Sequence, residues 1–357
     1  MRGAPPAAPG DPLADVDTPA LLLDLDAFEA NMVRLHGEVL PAGVAIRPHG
    51  KAHKCAEIAR RQVAAGAVGI CAQSLGEAEM FAVAGIGDVL LSNEIAGADK
   101  AARLAAIAGI ARLAVCVDSP EQVAQLAAAT KAAGSTLGVL IEVAMGRRCG
   151  VAGVAEAMRL ADAIGAAPGL ELRGLQAYAG SVQHVRAAAE RAAAIERARA
   201  IAEPVRDALG VRHVTGAGTG TYPLEVASGF WSEIQPGSYV LMDADYRVNE
   251  EPPPFRQALF VQGRVISAHP DRVVVDVGHK AVAVDSGPPT PPAGLSVLGL
   301  SDEHTILLVE EGDPPPYGSI VRLVPGHCDP TVNLHDWIVA VRGGVVEDVW
   351  AVEARGA

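Results

Sequence analysis

Aromatic residues and cysteines are both scarce in this chain. Only 4% of its 357 residues are aromatic, and its five cysteines are widely spaced with no CxxC pair: Cys55, Cys71, Cys116, Cys149 and Cys328. An odd number of scattered cysteines argues against a disulfide framework or a structural zinc site. Half of the residues are nevertheless hydrophobic, so small side chains can fill a large core. The length predicts about two domains that fold without covalent cross-links.

Net positive charge and long apolar runs are also missing. Lys and Arg number 29 against 42 Asp and Glu, which gives a net charge of −13 and disfavours binding to nucleic acid or to anionic membranes. The most apolar stretch, residues 101–117, is interrupted by Arg103 and Arg112 and is shorter than a membrane span requires. Residues 1–13 lack the apolar centre of a secretory signal. We expect a cytoplasmic protein with neither nucleic acid nor membrane as a partner.

Short apolar runs alternate with alanine-rich stretches of helical period from residue 20 to about residue 239. This alternation predicts an α/β protein with a parallel sheet covered by helices. The predicted strands are 20–25, 44–47, 68–71, 89–91, 113–117, 137–143, 172–178, 211–215 and a run near Ile234; the predicted helices include 26–39, 54–64, 75–83, 120–133, 155–164 and 185–209. Eight such units close a (β/α)8 TIM barrel, so one of the nine strands is surplus. An open doubly wound sheet is the alternative, but no GxGxxG follows the first run.

The sequence changes character after about residue 245. Short Val-rich segments follow, separated by Gly, Pro and Asp and without helical period: 258–266, 272–277, 281–285, 305–309, 319–323, 337–342 and 345–352. This pattern predicts a second, mainly antiparallel β domain.

Chemistry in a barrel is expected where each strand ends. Residues 47–54 follow the second apolar run and contain five basic side chains, with Lys51 near the strand end. A lysine among cationic neighbours has a lowered pKa and can act as a Schiff-base nucleophile. A solvated basic loop is the alternative interpretation.

Two late loops are candidates for binding a phosphate group. Residues 215–221 (TGAGTGT) and 235–239 (QPGSY) follow the last two apolar runs. Small residues let backbone N–H groups approach an oxyanion, and barrels often bind phosphate after strands seven and eight. Two glycine-rich turns without a ligand are the alternative.

Further polar residues follow other predicted strands. His184 is a candidate general base, beyond Gln176 and Tyr178, and Arg147 and Arg148 follow the sixth run. In the β domain, His327 and Asp329 are two positions apart and would point the same way in extended chain. An imidazole and a carboxylate suit Mn²⁺, Mg²⁺ or Zn²⁺, whereas a polar turn is the plain alternative.

Taken together, these motifs occur in an ordered set: DTPA at 17–20 running into LDLD at 23–26, RPHGK at 47–51, GRRCGV at 146–151, GAGTGT at 216–221, QPGSY at 235–239 and residues 325–333. The set resembles the D-threonine aldolase and D-serine dehydratase group of alanine-racemase-type (fold type III) pyridoxal-phosphate enzymes. The resemblance spans about residues 17–337. Ala52 and Ala217 depart from it, since Thr and Gly are common there.

The resemblance implies a role for each candidate residue. Lys51 would form the Schiff base with pyridoxal phosphate, and His184 would be the base acting on the β-hydroxyl of the substrate. Arg148 would lie against the pyridine nitrogen and keep it unprotonated, which weakens the ring as an electron sink. The residues that would bind the cofactor are Lys51, Arg148, Tyr178, Gly218, Thr219, Gly237 and Ser238, and those that would bind the metal (Mn²⁺ or Mg²⁺, possibly Zn²⁺) are His327 and Asp329.

The resemblance also implies an architecture and an activity. The barrel would comprise residues 27–245, the β domain residues 1–26 plus 246–357, and the enzyme would be a homodimer. The ligand pair of a histidine and a carboxylate, His327 and Asp329, resembles the aldolases, which cleave a D-3-hydroxyamino acid such as D-threonine or D-3-hydroxyaspartate to glycine and an aldehyde. The alternative is a dehydratase of D-serine or D-3-hydroxyaspartate, in which Cys tends to be the second ligand. A pyridoxal-phosphate carrier and a metal-dependent barrel hydrolase are the hypotheses from other classes.

Overall fold

The computed structural model describes residues 3–146 and 148–357. Its strands are β1 (Ala20–Asp24), β2 (Ala45–Ile46), β3 (Ile70–Ala72), β4 (Asp88–Leu91), β5 (Arg112–Val117), β6 (Leu137–Glu142), β7 (Leu170–Ala177), β8 (Val214–Gly216), β9 (Glu233–Ile234), β10 (Leu259–Ala268), β11 (Arg272–Val275), β12 (Leu295–Leu300), β13 (Thr305–Val309), β14 (Ile320–Leu323), β15 (Trp337–Arg342) and β16 (Val345–Ala351).

The α-helices are α1 (Leu25–Val39), α2 (Ala56–Ala64), α3 (Leu75–Val83), α4 (Ala98–Ile107), α5 (Pro120–Ala133), α6 (Val154–Gly165), α7 (Ala188–Leu209), α8 (Tyr222–Ser228), α9 (Ala244–Arg247) and α10 (Cys328–Val332). Short 3₁₀ turns lie at Leu13–Asp15, Leu40–Ala42, Gly50–Ala52, Gly180–Val182 and Ser238–Val240. None of the helices in the described residues is both long and apolar enough to cross a membrane.

Eight parallel strands form the predicted barrel. They pair in the order β2-β9-β8-β7-β6-β5-β4-β3, and a parallel bridge between His49 and Cys71 joins the two ends. The surplus ninth run is β1, which belongs to the other sheet. The α/β barrel is therefore confirmed, and the open sheet is excluded.

Local sequence explains where the helices around the barrel begin. Ser119 caps α5 in a capping box with Gln122, and Pro120 occupies the first turn, where its missing N–H costs no hydrogen bond. The helix ends at Gly134, whose φ of 63° is left-handed and is accessible to glycine without strain. The predicted start of this helix is confirmed.

The second sheet is mainly antiparallel, as predicted. Its path is β12-β13-β11-β10-β1-β15-β16, with β14 paired to β10; the pairing of β1 with β15 is parallel. The prediction of a strand at residues 281–285 was wrong. There the Ala283 N–H donates to the Thr331 hydroxyl and the Ala281 carbonyl bonds His335, so side chains of a later segment replace a neighbouring strand.

The barrel mouth and the second sheet share one hydrophobic core. Ala52 and Tyr239 from the barrel belong to the same buried cluster as Leu259, Leu323 and Cys328. Burial of this continuous apolar surface fixes α10 against the turn that carries Lys51. Side chains from two distant parts of the chain are thereby held in one place.

Candidate active site

Lys51 lies on the 3₁₀ turn Gly50–Ala52 directly after β2. A Cβ at position 50 would overlap the Phe81 ring, so only glycine lets the turn pack this closely. The N–H groups of His53 and Lys54 donate to the Gly50 carbonyl. This rigid turn places the Lys51 ammonium in contact with the Asp329 carboxylate of α10.

The expected low pKa of Lys51 was wrong in this structure. The Asp329 carboxylate raises the pKa of Lys51 above its usual value, although burial acts in the opposite direction. Burial would likewise raise the pKa of Asp329, but the Lys51 ammonium lowers it well below its usual range. The nearest charge to Lys51 is therefore a carboxylate from α10 rather than a cation from its own loop.

The other basic residues of this segment do not form the expected cationic cluster. Arg47 turns toward the opposite end of the barrel and pairs with Asp88 and Glu233 at 2.8 Å and 3.0 Å. Burial lowers the pKa of His49 to about 3 and that of His53 to about 4, so both imidazoles are neutral. Lys54 pairs with Glu77 at 3.4 Å and donates to Asn333 at 3.0 Å. The segment thus places Lys51, and no cationic cluster, beside Asp329.

His327 and Asp329 lie at the start of α10, not in extended chain as expected. His327 is the residue before the helix and Asp329 is in its first turn. The Asp243 carboxylate accepts a hydrogen bond from the Cys328 N–H at 3.0 Å, which anchors the turn. Cys328 itself is fully buried, and its thiol donates to Asp329 at 3.3 Å.

The imidazole of His327 is oriented by a carboxylate that the sequence did not single out. Its Nδ1 lies 2.7 Å from Asp285 Oδ2. Metal-binding histidines commonly donate their second ring N–H to a carboxylate in this way. This arrangement leaves Nε2 available as a ligand.

The two glycine-rich loops lie together after β8 and β9. A Cβ on Gly218 would overlap the Gln183 amide, and one on Gly237 would lie 3.0 Å from the His49 carbonyl. Ala217 has a φ of 65°, a backbone conformation that glycine adopts more readily, consistent with the usual glycine there. Thr219 is buried, and its hydroxyl has no hydrogen-bond partner in the described part of the chain.

A buried hydrogen-bond network supports the first of these loops, residues 215–221. Gln183 accepts from the Gly220 N–H at 3.0 Å and donates to the Thr221 hydroxyl at 2.8 Å. Thr221 in turn donates to Glu225 at 2.7 Å. Ser238, on the second loop, is also buried. The loops are therefore preformed rather than loose turns.

His184 lies beyond β7 and is paired through Nδ1 with the Asp245 carboxylate. Its ring packs on Tyr246 with a centroid separation of 5.0 Å. An Nδ1–H bound to the carboxylate leaves Nε2 as the proton acceptor. The side chain is 41% exposed, so it is accessible to a substrate.

Arg148 is held at the mouth by three neighbours. It donates to Glu142 at 2.6 Å and to Asn93 at 2.7 Å, and it lies 3.7 Å from Glu94. Arg147, which belonged to the same sequence motif, lies outside the described residues.

A cavity of about 250 Å³ is lined by both Arg148 and Tyr178. Burial raises the pKa of Tyr178, and the positive charge of Lys51 opposes that shift.

Sequence reasoning missed the carboxylates that hold these side chains. Glu142 is the last residue of β6 and Glu94 follows β4, so their positions after strands were a usable signal. Asp245 and Asp285 lie in segments without a distinctive pattern, and only the fold brings them to His184 and His327.

Comparison with known proteins gives matches over both parts of the chain. A family profile described as "Alanine racemase, N-terminal domain" matches residues 23–245, and one described as "Putative serine dehydratase domain" matches residues 258–341. The chain is 47% identical to a D-threonine aldolase of Arthrobacter sp., over 99% of this chain and 96% of that protein. It is 41% identical to a 3-hydroxy-D-aspartate aldolase of Paracoccus denitrificans, over 98% and 95%.

A solved structure and a more distant relative complete the comparison. The crystal structure of D-threonine aldolase from Filomicrobium marinum superposes with a TM-score of 0.95 at 46% identity, covering 100% of this chain and 99% of that one. A D-threo-3-hydroxyaspartate dehydratase of Delftia sp. is 29% identical, over 89% of this chain and 92% of that protein. The proteins named as aldolases are thus more similar to this chain than the one named as a dehydratase.

Proposed function

This chain belongs to the alanine racemase N-terminal domain family, and we propose that it is a lyase that uses pyridoxal phosphate and a divalent metal to cleave D-3-hydroxyamino acids to glycine and an aldehyde. The fold and the aldolase relatives imply the cofactor. The observation that carries the proposal is the contact between Lys51 of the barrel and Asp329 of α10. This contact supports the pairing of Lys51, which we propose as the Schiff-base lysine, with Asp329, which we propose as a metal ligand.

The residues present fit pyridoxal phosphate. The buried Thr219 hydroxyl has no partner in the described chain, a Cβ at Gly218 would overlap Gln183, and one at Gly237 would crowd His49, so a phosphate group would complete a prepared set of donors. Bound pyridoxal phosphate supplies an aldehyde for an amine to condense with and a ring that accepts electron density. Lys51 would hold the aldehyde, Tyr178 would flank it, and Arg148 would face the ring nitrogen.

The residues also fit a divalent metal ion. His327 Nε2 and the Asp329 carboxylate form a nitrogen and oxygen donor pair that suits Mn²⁺, Mg²⁺ or Zn²⁺, and a bound ion lowers the pKa of a coordinated hydroxyl. In the structure Lys51 and Asp329 neutralise each other. In the proposed site each has a separate partner, the aldehyde for Lys51 and the metal for Asp329.

His184 is the residue we propose as the general base. Asp245 fixes its ring through Nδ1, so Nε2 would take the proton of the β-hydroxyl of the substrate. The carbon–carbon bond next to that hydroxyl would then break. Its electron pair would pass to the α-carbon, which takes up a proton to give glycine, and the aldehyde would leave. Glu142 and Asn93 hold Arg148 in place during this step.

Product analysis tests the proposal. Purified protein with pyridoxal phosphate and Mn²⁺ should convert D-threonine or D-3-hydroxyaspartate to glycine, and a chelator should abolish the conversion. Lys51→Ala should lose both the activity and the visible absorption of the bound cofactor, while the exposed-lysine control Lys100→Ala keeps both. Ammonia and a 2-oxo acid as products would contradict the aldolase assignment in favour of a dehydratase.

Three further expectations remain proposals. The division into a barrel of residues 27–245 and a β domain of residues 1–26 plus 246–357 is supported by the place of β1 in the second sheet. The homodimer rests on the family resemblance, and sedimentation analysis would measure it. The five cysteines are free thiols, in keeping with a cytoplasmic protein, and a location there stays a prediction.

A further inference from the structure

Acidic side chains from the ends of three barrel strands form a cluster beside Arg148. Glu94 follows β4, Asp118 follows β5 and Glu142 ends β6. Cys149 comes from the loop after β6, and ligand atoms of Cys149, Glu94 and Asp118 lie within 4.8 Å of one another. In the proposed reaction Glu142 and Glu94 act only through Arg148, which bonds Glu142 and lies 3.7 Å from Glu94, and Asp118 and Cys149 have no role.

The hydrogen bonding of this cluster is incomplete. Both carboxyl oxygens of Glu94 and the Oε2 of Glu142 are inaccessible to water and have no donor among the described residues. Of the four carboxyl oxygens of Glu94 and Glu142, only Glu142 Oε1 accepts a hydrogen bond from a described residue, Arg148. Glu142 is 7% exposed and Glu94 11% exposed, and buried acceptors without donors are costly. Because ionised carboxylates only accept hydrogen bonds, these two groups cannot satisfy each other without a proton.

We propose that Glu94 and Glu142 share one proton, and that this protonated pair positions Arg148 against the ring of the cofactor. The role given to Arg148 rests on the proposed function, whereas the shared proton does not. One proton between the two groups satisfies two of the three open oxygens. The pair then carries one negative charge, which the single positive charge of Arg148 balances.

The surroundings support one proton rather than none. Burial, followed by the charge of Glu94, raises the pKa of Glu142 to about 8, and Arg148 opposes that shift. The other titratable groups that face the pair are Asp118 and the thiols of Cys116 and Cys149. Asp118 already accepts hydrogen bonds from the Gly150 N–H and the Gln122 amide. Among these described residues, only Arg148 is cationic.

Infrared spectroscopy of the holoenzyme at neutral pH tests the shared proton directly. The wild type should show the absorption of a protonated carboxyl group, and Glu142→Gln should lose one such group. Glu94→Gln should lose the same one, because Glu142 ionises once the neighbouring charge is removed. The double variant should lose no more than either single variant, and Asp88→Asn, at the other end of the barrel, should lose nothing. No loss of this absorption in either single variant, or losses that add in the double variant, would overturn the proposal.

The positioning role has its own measurements. The absorption spectrum of the bound cofactor should change near pH 8 in the wild type, where the pair loses its proton, and should be independent of pH there in Glu94→Gln and Glu142→Gln. Glu142→Ala removes the anchor of Arg148 and should weaken cofactor affinity about tenfold, as expected for one charge-assisted hydrogen bond. A spectrum that titrates alike in all variants would refute the role of the pair.

A metal ion in this cluster is the competing explanation. Equilibrium dialysis of the holoenzyme with Zn²⁺ or Mn²⁺ should show no ion that depends on Glu94. An ion lost in Glu94→Gln but kept in His327→Ala would overturn the shared proton in favour of a second metal site. If the protein binds no cofactor at all, the proposed function fails, while the infrared measurement still decides whether the two carboxyl groups share a proton.

Discussion

Replacing Glu225 with Gln should make the stability of the protein less dependent on pH. Glu225 lies in α8, the helix that directly follows the loop that we propose binds phosphate. Thr221 donates to its Oε1 at 2.7 Å, and its Oε2 is buried with no donor in the described chain. Burial raises the pKa of Glu225 to about 7. The folded protein therefore keeps a proton that the unfolded chain releases.

The sign and size of the effect follow from this difference. A carboxyl group whose pKa is higher in the folded state is most favourable to folding at low pH. Its contribution falls as the pH rises from about 4.5 to about 7 and is constant above that. The interval between about 7 and the ordinary value of 4.5 corresponds to about 3 kcal/mol at 1.36 kcal/mol per pKa unit. Glutamine is similar in shape and never ionises, so the variant avoids this loss.

Urea unfolding at about pH 5 and about pH 8 measures the effect. The free energy of unfolding of Glu225→Gln, relative to the wild type, should be about 2–3 kcal/mol higher at the upper pH than at the lower one. Glu171→Gln is the control, because that side chain is 59% exposed and its removal should shift stability equally at both pH values. The reasoning fails if Glu225→Gln also shows a constant offset, since Glu225 would then be ionised in the folded protein at both pH values.

Three more predictions concern the site itself. Gly218→Ala should weaken cofactor binding at least about tenfold, since its Cβ overlaps Gln183; absorbance titration measures this, and Gly299→Ala, which meets no atom within 4 Å, should bind normally. His184→Ala should lower kcat by about 10²–10⁴ without changing cofactor absorption, and equal loss of cofactor would contradict its role as a base. Asp285→Asn should weaken Mn²⁺ binding by about 10–100-fold, measured by calorimetry, whereas an unchanged affinity would show that the contact with His327 does not orient a metal ligand.

Much of the fold could be predicted because its signals are local. The signal for β6 is one apolar run, and the signal for the start of α5 is Ser119 followed by Pro120. Each signal is contained in a few consecutive residues, and the alternation of strand and helix segments specifies a barrel. The strand β12 was missed because Leu295–Leu300 is only partly buried, so its side chains lack a clear period. The segment at residues 281–285 has the composition of a strand, but Thr331 and His335 take its backbone groups.

The places of the site residues could be predicted as well, since each follows a barrel strand or lies in the last part of the β domain. Their partners could not. His184 depends on Asp245, 61 residues later, and His327 on Asp285, 42 residues earlier. A carboxylate at such a distance has no sequence pattern that joins it to an imidazole, because only the packing of loops at the barrel mouth brings the two together.

The charges around Lys51 show why it matters for chemistry that the partners of a site residue cannot be predicted from the sequence. Five basic residues in eight positions suggest a cationic site, yet the structure disperses them: Arg47 joins a salt bridge at the far end of the barrel, and His49 and His53 are buried and neutral. The charge nearest to Lys51 comes from Asp329, 278 residues away. Arg148 shows the reverse case, since this arginine of a basic sequence motif lies against the two buried carboxyl groups of Glu94 and Glu142. The sign of the field at a catalytic group is therefore set by which loops meet at the mouth, and a reactive lysine is better identified by its position after a strand than by the charge of its neighbours in sequence.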